Sequence, residues 1–449
     1  MAGFKLFNVK GDLFATGLTF FAQAVIKLGS SLILTRILRP EAYGIVTILL
    51  SIVFVVEMLS DIAVTVPIVR HDEGENPAYL NTAWTLRLCR SVLNTLLVFA
   101  AAPLIARVYA VPDLTGPLRV FALFFVFAGA ESMAFPIAIR RKNSRVIVYS
   151  ELVVTFLSTT FTIVYCLHSR DFWGMVYGIL LNRLLLSASS HFFYREFSPR
   201  LYLDWPAARE LLKYTRFAVP SSILGLCLTQ FDKVVFLRLF DLRLLGIYSL
   251  AGNITGPVEN LVQKVSQLVL YPRCAHNFRT DRDNFTRKFY TENIRLFFGI
   301  LLIPAAVGGA APLIIRLMYD SRYAQAAAVL QAFMARAAFL SLAAPAEDML
   351  IASGEFQVIL IGNICRATWL VFTALLGYYV FGFMGFVWGT ASSGLPPLLY
   401  YLWLQNRKGF LIVRYELYKM AFAAGTAVAA YCASSVLLDL LPSCLRCSG

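Results

Sequence analysis

Charge is scarce in this 449-residue chain: 15% of its residues are Asp, Glu, Lys or Arg, against about 25% in ordinary globular domains. Polar stretches are scarce as well. The longest lie around residues 195–216 and 273–295 and leave no room for a soluble catalytic domain. The four histidines, His71, His168, His191 and His276, show no metal-binding spacing. There is no Gly-rich phosphate loop and no G-x-S-x-G elbow, so neither direct ATP use nor a serine hydrolase is indicated. Eight cysteines are scattered, five of them (Cys89, Cys166, Cys227, Cys365, Cys432) inside apolar runs, where a thiol packs as a small hydrophobe. Cys444 and Cys447 form a lone C-x-x-C with no second pair and no nearby His, which reads as a terminal tail. The expectation is no enzyme, no metal and no organic cofactor.

What the chain has instead is apolar length. Hydrophobic residues make up 59%. Runs long enough to cross a bilayer, roughly 20 residues each, recur from end to end. We read spans at 12–37, 44–70, 83–109, 118–139, 146–167, 172–194, 213–240, 245–271, 293–316, 325–351, 357–380 and 384–405, with an extra C-terminal helix at 416–440. The first follows a short, weakly basic start, Met1 to Lys10, and reads as a retained span. Backbone groups in lipid must bond internally, so these runs are helices; they lack the dyad pattern of a membrane barrel.

The net charge of +14 suggests nucleic acid until its distribution is considered. Basic residues cluster in alternate loops: Arg140, Arg141, Lys142 and Arg145; then Arg195, Arg200, Arg209, Lys213 and Arg216; then Arg273, Arg279, Arg282, Arg287 and Lys288; then Arg407, Lys408 and Arg414. The intervening loops carry few. This is the positive-inside pattern, and it places the amino terminus and the basic loops in the cytoplasm.

An internal repeat organises the chain. Arg36 and Gly44-Ile45 in the first hairpin recur as Arg238 and Gly246-Ile247, both at an offset of 202 residues. Six spans separate the copies, so both have one orientation, as in parallel-repeat transporters. The expected fold is an all-α polytopic membrane protein with two six-helix lobes in a parallel pseudo-two-fold repeat around a central cavity: N-lobe 1–196, cytoplasmic linker 197–212, C-lobe 213–405, and the extra helix and tail 406–449. Prolines 67, 136, 220, 257, 304, 345, 396 and 397 are expected to bend or break helices.

Many ionisable residues fall inside the spans, among them Lys27, Glu57, Asp61, Glu131, Arg183, Asp232, Lys233, Glu259, Lys264, Arg336 and Arg366. Facing lipid, they would cost on the order of 30 kcal/mol together. They must face one another or water. Glu57 and Asp61 share a helix face. They suit either an ion pair with Lys27 or a site for a coupling proton or Na⁺. Lys27, Lys264, Arg336 and Arg366 are deep cations that either bind an anionic group such as phosphate or pair with Glu57, Asp61 or Glu259. Asp232, Glu259 and Gln263 would line the cavity or a gate. Arg183 and Glu131 read as structural, and Arg87 and Arg90 as headgroup anchors.

The stretch Leu34-Thr-Arg-Ile-Leu-Arg-Pro-Glu-Ala-Tyr-Gly-Ile45 resembles the first hairpin of Wzx-type polysaccharide flippases, in the multidrug/oligosaccharidyl-lipid/polysaccharide exporter superfamily. Leu59-Ser-Asp61 with Arg70, Asp232 with Gly246 to Ala251, Pro304 to Ala326, and Pro345 to Gly354 resemble later helices of that family. Ile62 stands where the family often has Gly. The resemblance covers about residues 10–405 and implies a transporter in a bacterial inner membrane. Such a protein moves an undecaprenyl-pyrophosphate-linked oligosaccharide to the periplasmic leaflet, driven by an ion gradient, and works beside a polysaccharide polymerase. On that reading Lys27, Lys264, Arg336 and Arg366 contact the substrate, and Glu57 or Asp61 handles the ion. Thirteen spans differ from the family's usual twelve or fourteen, so either the last helix is interfacial or the carboxyl terminus is periplasmic. The alternatives are an ion-coupled drug or metabolite antiporter of the same superfamily, which favours an acidic, aromatic cavity, and a lipid-modifying membrane enzyme, which needs clustered His, Asp or Glu at one membrane face.

Overall fold

The computed structural model describes residues 9–61, 67–68, 74–141, 145–193 and 199–440. Ile62, Arg70, Cys444 and Cys447 lie outside them. Among the described residues the chain is helical, with no strand. The helices are α1 (Val9–Ile37), α2 (Pro40–Ser60), α3 (Pro77–Val108), α4 (Thr115–Phe121), α5 (Leu123–Ala130), α6 (Ala134–Arg140), α7 (Arg145–Ser169), α8 (Trp173–Phe193) and α9 (Trp205–Leu239). They continue with α10 (Leu242–Val265), α11 (Tyr271–Thr280), α12 (Phe285–Gly309), α13 (Ala311–Met318), α14 (Ala326–Ala352), α15 (Gln357–Ala391), α16 (Leu395–Arg407) and α17 (Val413–Leu440).

Among the described residues the expected spans fall mostly on helix; the one expected at 44–70 does so to Ser60, and its residues 62–66 and 69–70 lie outside the described ones. Among the described residues, eight helical segments are long and apolar enough to cross a membrane; helices such as α9 and α10 carry more charge. The chain is an all-α polytopic membrane protein. The span expected at 118–139 is broken: Glu131 takes a non-helical ψ of 133° between α5 and α6. Pro103, Pro257, Pro304 and Pro345 stay inside helices, whereas Pro396 begins α16.

Contacts divide the chain into two compact units. One comprises Met1–Leu38 and Ile45–Leu226; the other comprises Arg39–Gly44 and Cys227–Gly449. The division falls inside α9, because that helix already begins at Trp205, within the stretch expected to be the linker.

Small residues set the helix pairing in each unit. In the first, α7 and α8 form an antiparallel hairpin. A Cβ at Gly174 would strike the Cys166 sulfur, one at Gly178 would strike the Thr162 hydroxyl, and Asn182 donates to Ser158 at 2.9 Å. Gly174 and Gly178 are one turn apart, the small-xxx-small spacing that lets membrane helices approach closely. In the second unit the same device appears inside α15, where Gly382 reverses the chain at φ +62°, ψ −137°. Gly377 meets Gly385 backbone to backbone, and Thr373 donates to the Gly389 carbonyl at 2.8 Å. The expected spans 357–380 and 384–405 are thus separated by a glycine turn.

The repeat has a structural counterpart within the second unit. Gly44 lies against the Leu242 carbonyl, and Gly246 lies against the Pro40 carbonyl. Pro40 and Leu242 are themselves equivalents at the 202-residue offset. Each copy therefore touches the other through the same pair of positions, the reciprocity of a two-fold contact. Both contacts are to backbone, which cannot rotate away. Gly246→Val should therefore lower the apparent melting temperature of detergent-purified protein by several degrees, consistent with an overpacking cost of about 1–3 kcal/mol. Gly256→Val, with open space around its Cβ, should not.

Helix α17 runs parallel to α12 over that helix's length: Tyr290 stacks on Tyr415 at 5.1 Å, Phe298 meets Phe422 at 4.6 Å, and Gly309 packs on Ala427 and Ala430. At 27 residues its apolar segment is long enough to cross.

Candidate functional site

The intramembrane charges collect in separate clusters, one in each unit. In the first unit Glu131 sits at the break between α5 and α6. Its Oε2 accepts from Arg87 on α3 at 2.7 Å and lies 3.2 Å from Arg183 on α8. The Arg183 guanidinium also lies over the Phe124 ring. A broken membrane helix frees backbone groups that lipid cannot satisfy, and the protein supplies partners for them. Arg87 donates to the Ala128 carbonyl at 2.7 Å, the His191 ring meets the Ala130 carbonyl at 2.9 Å, and Ser190 accepts from the Ser132 amide at 2.8 Å.

Glu57 and Asp61 on the end of α2 face the same arginines. Arg90 lies 3.6 Å from Asp61 and donates to the Ser60 carbonyl at 3.2 Å. Glu57 lies in the field of Arg183, Arg90 and Arg87. One expectation is corrected here. Arg87 and Arg90 are folded into this network rather than extended to headgroups. Arg90 is a cation beside Asp61, and Lys27 is exposed on α1. The reason is reach: α3 packs its arginine face on the open end of α5, where Glu131 and the freed carbonyls compete successfully with water.

In the second unit α10 and α14 run side by side in one direction. Their contacts proceed from Tyr248–Phe333, ring centroids 4.8 Å apart, through Glu259–Arg336 to Ser266–Asp348. Tyr248 donates to Asp232 on α9 at 2.6 Å and approaches Thr390 at 3.5 Å. The Arg336 Nε donates to Glu259 at 2.9 Å, and its guanidinium lies over the Phe333 ring at 4.7 Å. Among the described residues its terminal nitrogens make no hydrogen bond. Arg366 on α15 lies in the field of Arg336, Glu259, Tyr401 and Glu347, and its buried Nε has no acceptor. Lys264 is half-buried on α10, one residue from exposed Gln263.

Sequence reasoning missed several members. Glu347 and Asp348 lie inside the expected span 325–351, and their charge alone could have flagged them. Asp348 is buried and accepts from Ser266 at 2.6 Å, where the helix widens into a π turn over Ser266–Leu270; such turns recur at functional sites. The pair Glu416–Lys419 on α17, 2.6 Å apart and buried, receives the Tyr290 hydroxyl at 3.0 Å. Tyr248 and Thr390 gave no signal, since an isolated hydroxyl in a span is ordinary.

Outside the membrane, the Arg141 hydrogen bond at 2.7 Å holds the Glu75 carboxyl below its usual range. That pair should add stability above the unfolded carboxylate pKa and lose it as pH falls through the lower folded value. Exposed as it is, the effect stays under about 1 kcal/mol.

Fold and charge placement together define a helical membrane protein with ionised groups sorted into internal clusters. Residues 33–328 match the family described as "Polysaccharide biosynthesis protein". That is more than half of the chain, and the chain belongs to this family. Amylovoran biosynthesis protein AmsL of Erwinia amylovora is 26% identical over 243 residues, 53% of this chain and 62% of that protein. The chain thus spans less than two thirds of that relative's length. Lipopolysaccharide biosynthesis protein WzxC of Escherichia coli strain K12 is 22% identical over 364 residues, covering 80% of this chain and 72% of that one. The solved structure of the lipid II flippase MurJ, in an inward closed conformation, superposes with a TM-score of 0.71 at 14% identity over 95% of this chain and 99% of that chain. An inward-facing multidrug resistance MATE family transporter of the MOP superfamily gives 0.63 at 16% identity, over 86% and 95%. At these identities the superpositions establish the fold alone. The resemblance read from the first hairpin is borne out at the level of the family.

Proposed function

We propose that this protein flips a lipid-linked oligosaccharide from the cytoplasmic to the outer leaflet of a bacterial inner membrane, for assembly of a surface polysaccharide. The observation that carries the reading is the pair of unsaturated guanidiniums in the second unit. Arg336 is tethered through Nε alone, and Arg366 makes no hydrogen bond among the described residues. Two arginines in one another's field, with donors to spare inside a membrane, are arranged for an anion with several oxygens. A pyrophosphate linking an undecaprenyl tail to the sugar has that chemistry. Lys27 and Lys264 are further candidate contacts for the phosphates or for acidic sugars, while Asp232, Glu259 and Gln263 would order the approach. Coupling to H⁺ or Na⁺ falls to Glu57 or Asp61, and movement would be by alternating access. A polysaccharide polymerase is the expected partner downstream, and the amino terminus is assigned to the cytoplasm.

The test is deletion of the gene in its host. Lipid-linked repeat units should accumulate facing the cytoplasm, and surface polysaccharide should fall. Normal polysaccharide with no accumulation would overturn the reading.

A further inference from the structure

Between α8 and α9 residues 199–204 are neither helix nor strand. Their backbone is fastened to α3 at three alternate positions. The Arg200 amide donates to Asn81 at 2.8 Å, the Tyr202 amide to Thr85 at 3.1 Å, and the Asp204 amide to Thr82 at 2.9 Å. Asp204 then caps α9, accepting from the Ala207 amide at 3.1 Å. Just beyond, Ala207 and Leu211 are buried against Tyr79, Leu80 and Ala83 of α3 and Met133 and Ile137 near α6. The segment is therefore held in place along its own length and at its downstream end.

Its large apolar side chains are not covered: Leu201, Leu203 and Trp205 are 73%, 50% and 73% exposed, and Tyr202 between them is 50% exposed. Three large apolar groups on a fastened strap are not a core in waiting, because nothing in the first unit covers them. The fastening itself is informative. A backbone outside helix and strand needs no side-chain partners for its amides in water. At the edge of lipid it does, because unsatisfied donors there are costly. Around the strap stand Arg200, Arg209 and Lys213, all exposed. An apolar wedge ringed by cations, with an indole at its end, has the chemistry of an anionic membrane interface.

We propose that residues 200–205 form an interfacial anchor that inserts Leu201, Leu203 and Trp205 among the acyl chains of the leaflet on the basic-loop side, with Arg200, Arg209 and Lys213 binding anionic phospholipid headgroups. The anchor fixes the height of the start of α9 in the bilayer. It does not depend on the substrate assigned above.

The experiment uses the full chain with Cys89, Cys227, Cys365, Cys432, Cys444 and Cys447 changed to Ser, carrying a nitroxide on Leu203→Cys. The label is read in nanodiscs of phosphatidylethanolamine with and without phosphatidylglycerol. Collision with oxygen should exceed collision with a water-soluble nickel chelate in the anionic discs, and the label should become shallower without the anionic lipid. A label at Arg209→Cys should stay in water in both. Nickel-dominated collisions at position 203 in both discs overturn the anchor. Equal depth in both discs overturns the role of the basic residues. A label that is wet in discs but shielded from both reagents in native membranes means that a protein, not lipid, covers the strap, and overturns the lipid assignment.

Discussion

Arg336→Gln should cut polysaccharide export at least tenfold while leaving the amount of folded protein in the membrane unchanged. Arg336 spends one nitrogen on Glu259, 2.9 Å away, and its ring contact with Phe333 demands no particular acceptor. Losing a charge-assisted hydrogen bond to a phosphate costs about 1.5–3 kcal/mol, or roughly ten- to a hundred-and-fifty-fold in affinity. Folding should survive, because the substituted amide can still donate a hydrogen bond to Glu259. The alternative is that the pair only holds α10 to α14. The two ideas part company in the double variant Arg336→Met, Glu259→Met. A merely structural pair can be replaced by apolar groups of similar volume at little cost, so export would return. If Arg336 contacts an anion, the double variant stays folded and silent. Export assays paired with membrane immunoblots decide between them. Recovery of export in the double variant would remove Arg336 from the substrate site.

The helices and the glycine repeat were legible because both leave linear marks: uninterrupted apolar length, and a matched Arg…Gly-Ile spacing. Gly44 and Gly246 were visible as a pattern before Leu242 and Pro40 explained why nothing larger fits. Partner choice was not legible. Arg87 is separated from Glu131 by 44 positions, and Arg336 from Glu259 by 77. Period alone places a residue on a face but does not say which helix lies opposite. The break at Glu131 was hidden for a related reason. The stretch from Phe121 to Ile139 reads as one apolar run, and only the hydrogen bonds gathered around residues 128–132 show that the helix stops. Glu347 and Asp348 were legible as charges inside the expected span 325–351, but no linear mark pairs Asp348 with Ser266, 82 positions away. If Glu57 or Asp61 handles a coupling ion, as proposed above, Arg90, 3.6 Å from Asp61, is a charge with which the incoming proton or Na⁺ would compete.

Glu131→Ala should have the largest effect on folding in the first unit. The buried carboxylate is shared by Arg87 and Arg183. Its removal leaves two guanidiniums without a neutralising group, a loss of about 3–5 kcal/mol for a broken buried pair. Against a stability of about 5–15 kcal/mol for an ordinary domain, that is enough to deplete the folded form. The expected readout is a collapse of the monodisperse peak in fluorescence-detected size exclusion, with little full-length protein retained in membranes. Glu131→Gln should be milder, because its amide oxygen can still accept from Arg87 and because Arg87 keeps the Ala128 carbonyl at 2.7 Å. Adding Arg183→Met to Glu131→Gln should restore part of the peak, since it removes one of the two unpaired charges from beside the Phe124 ring. A wild-type melting profile for Glu131→Ala would mean that water reaches the break between α5 and α6, and that the carboxylate is not what closes it.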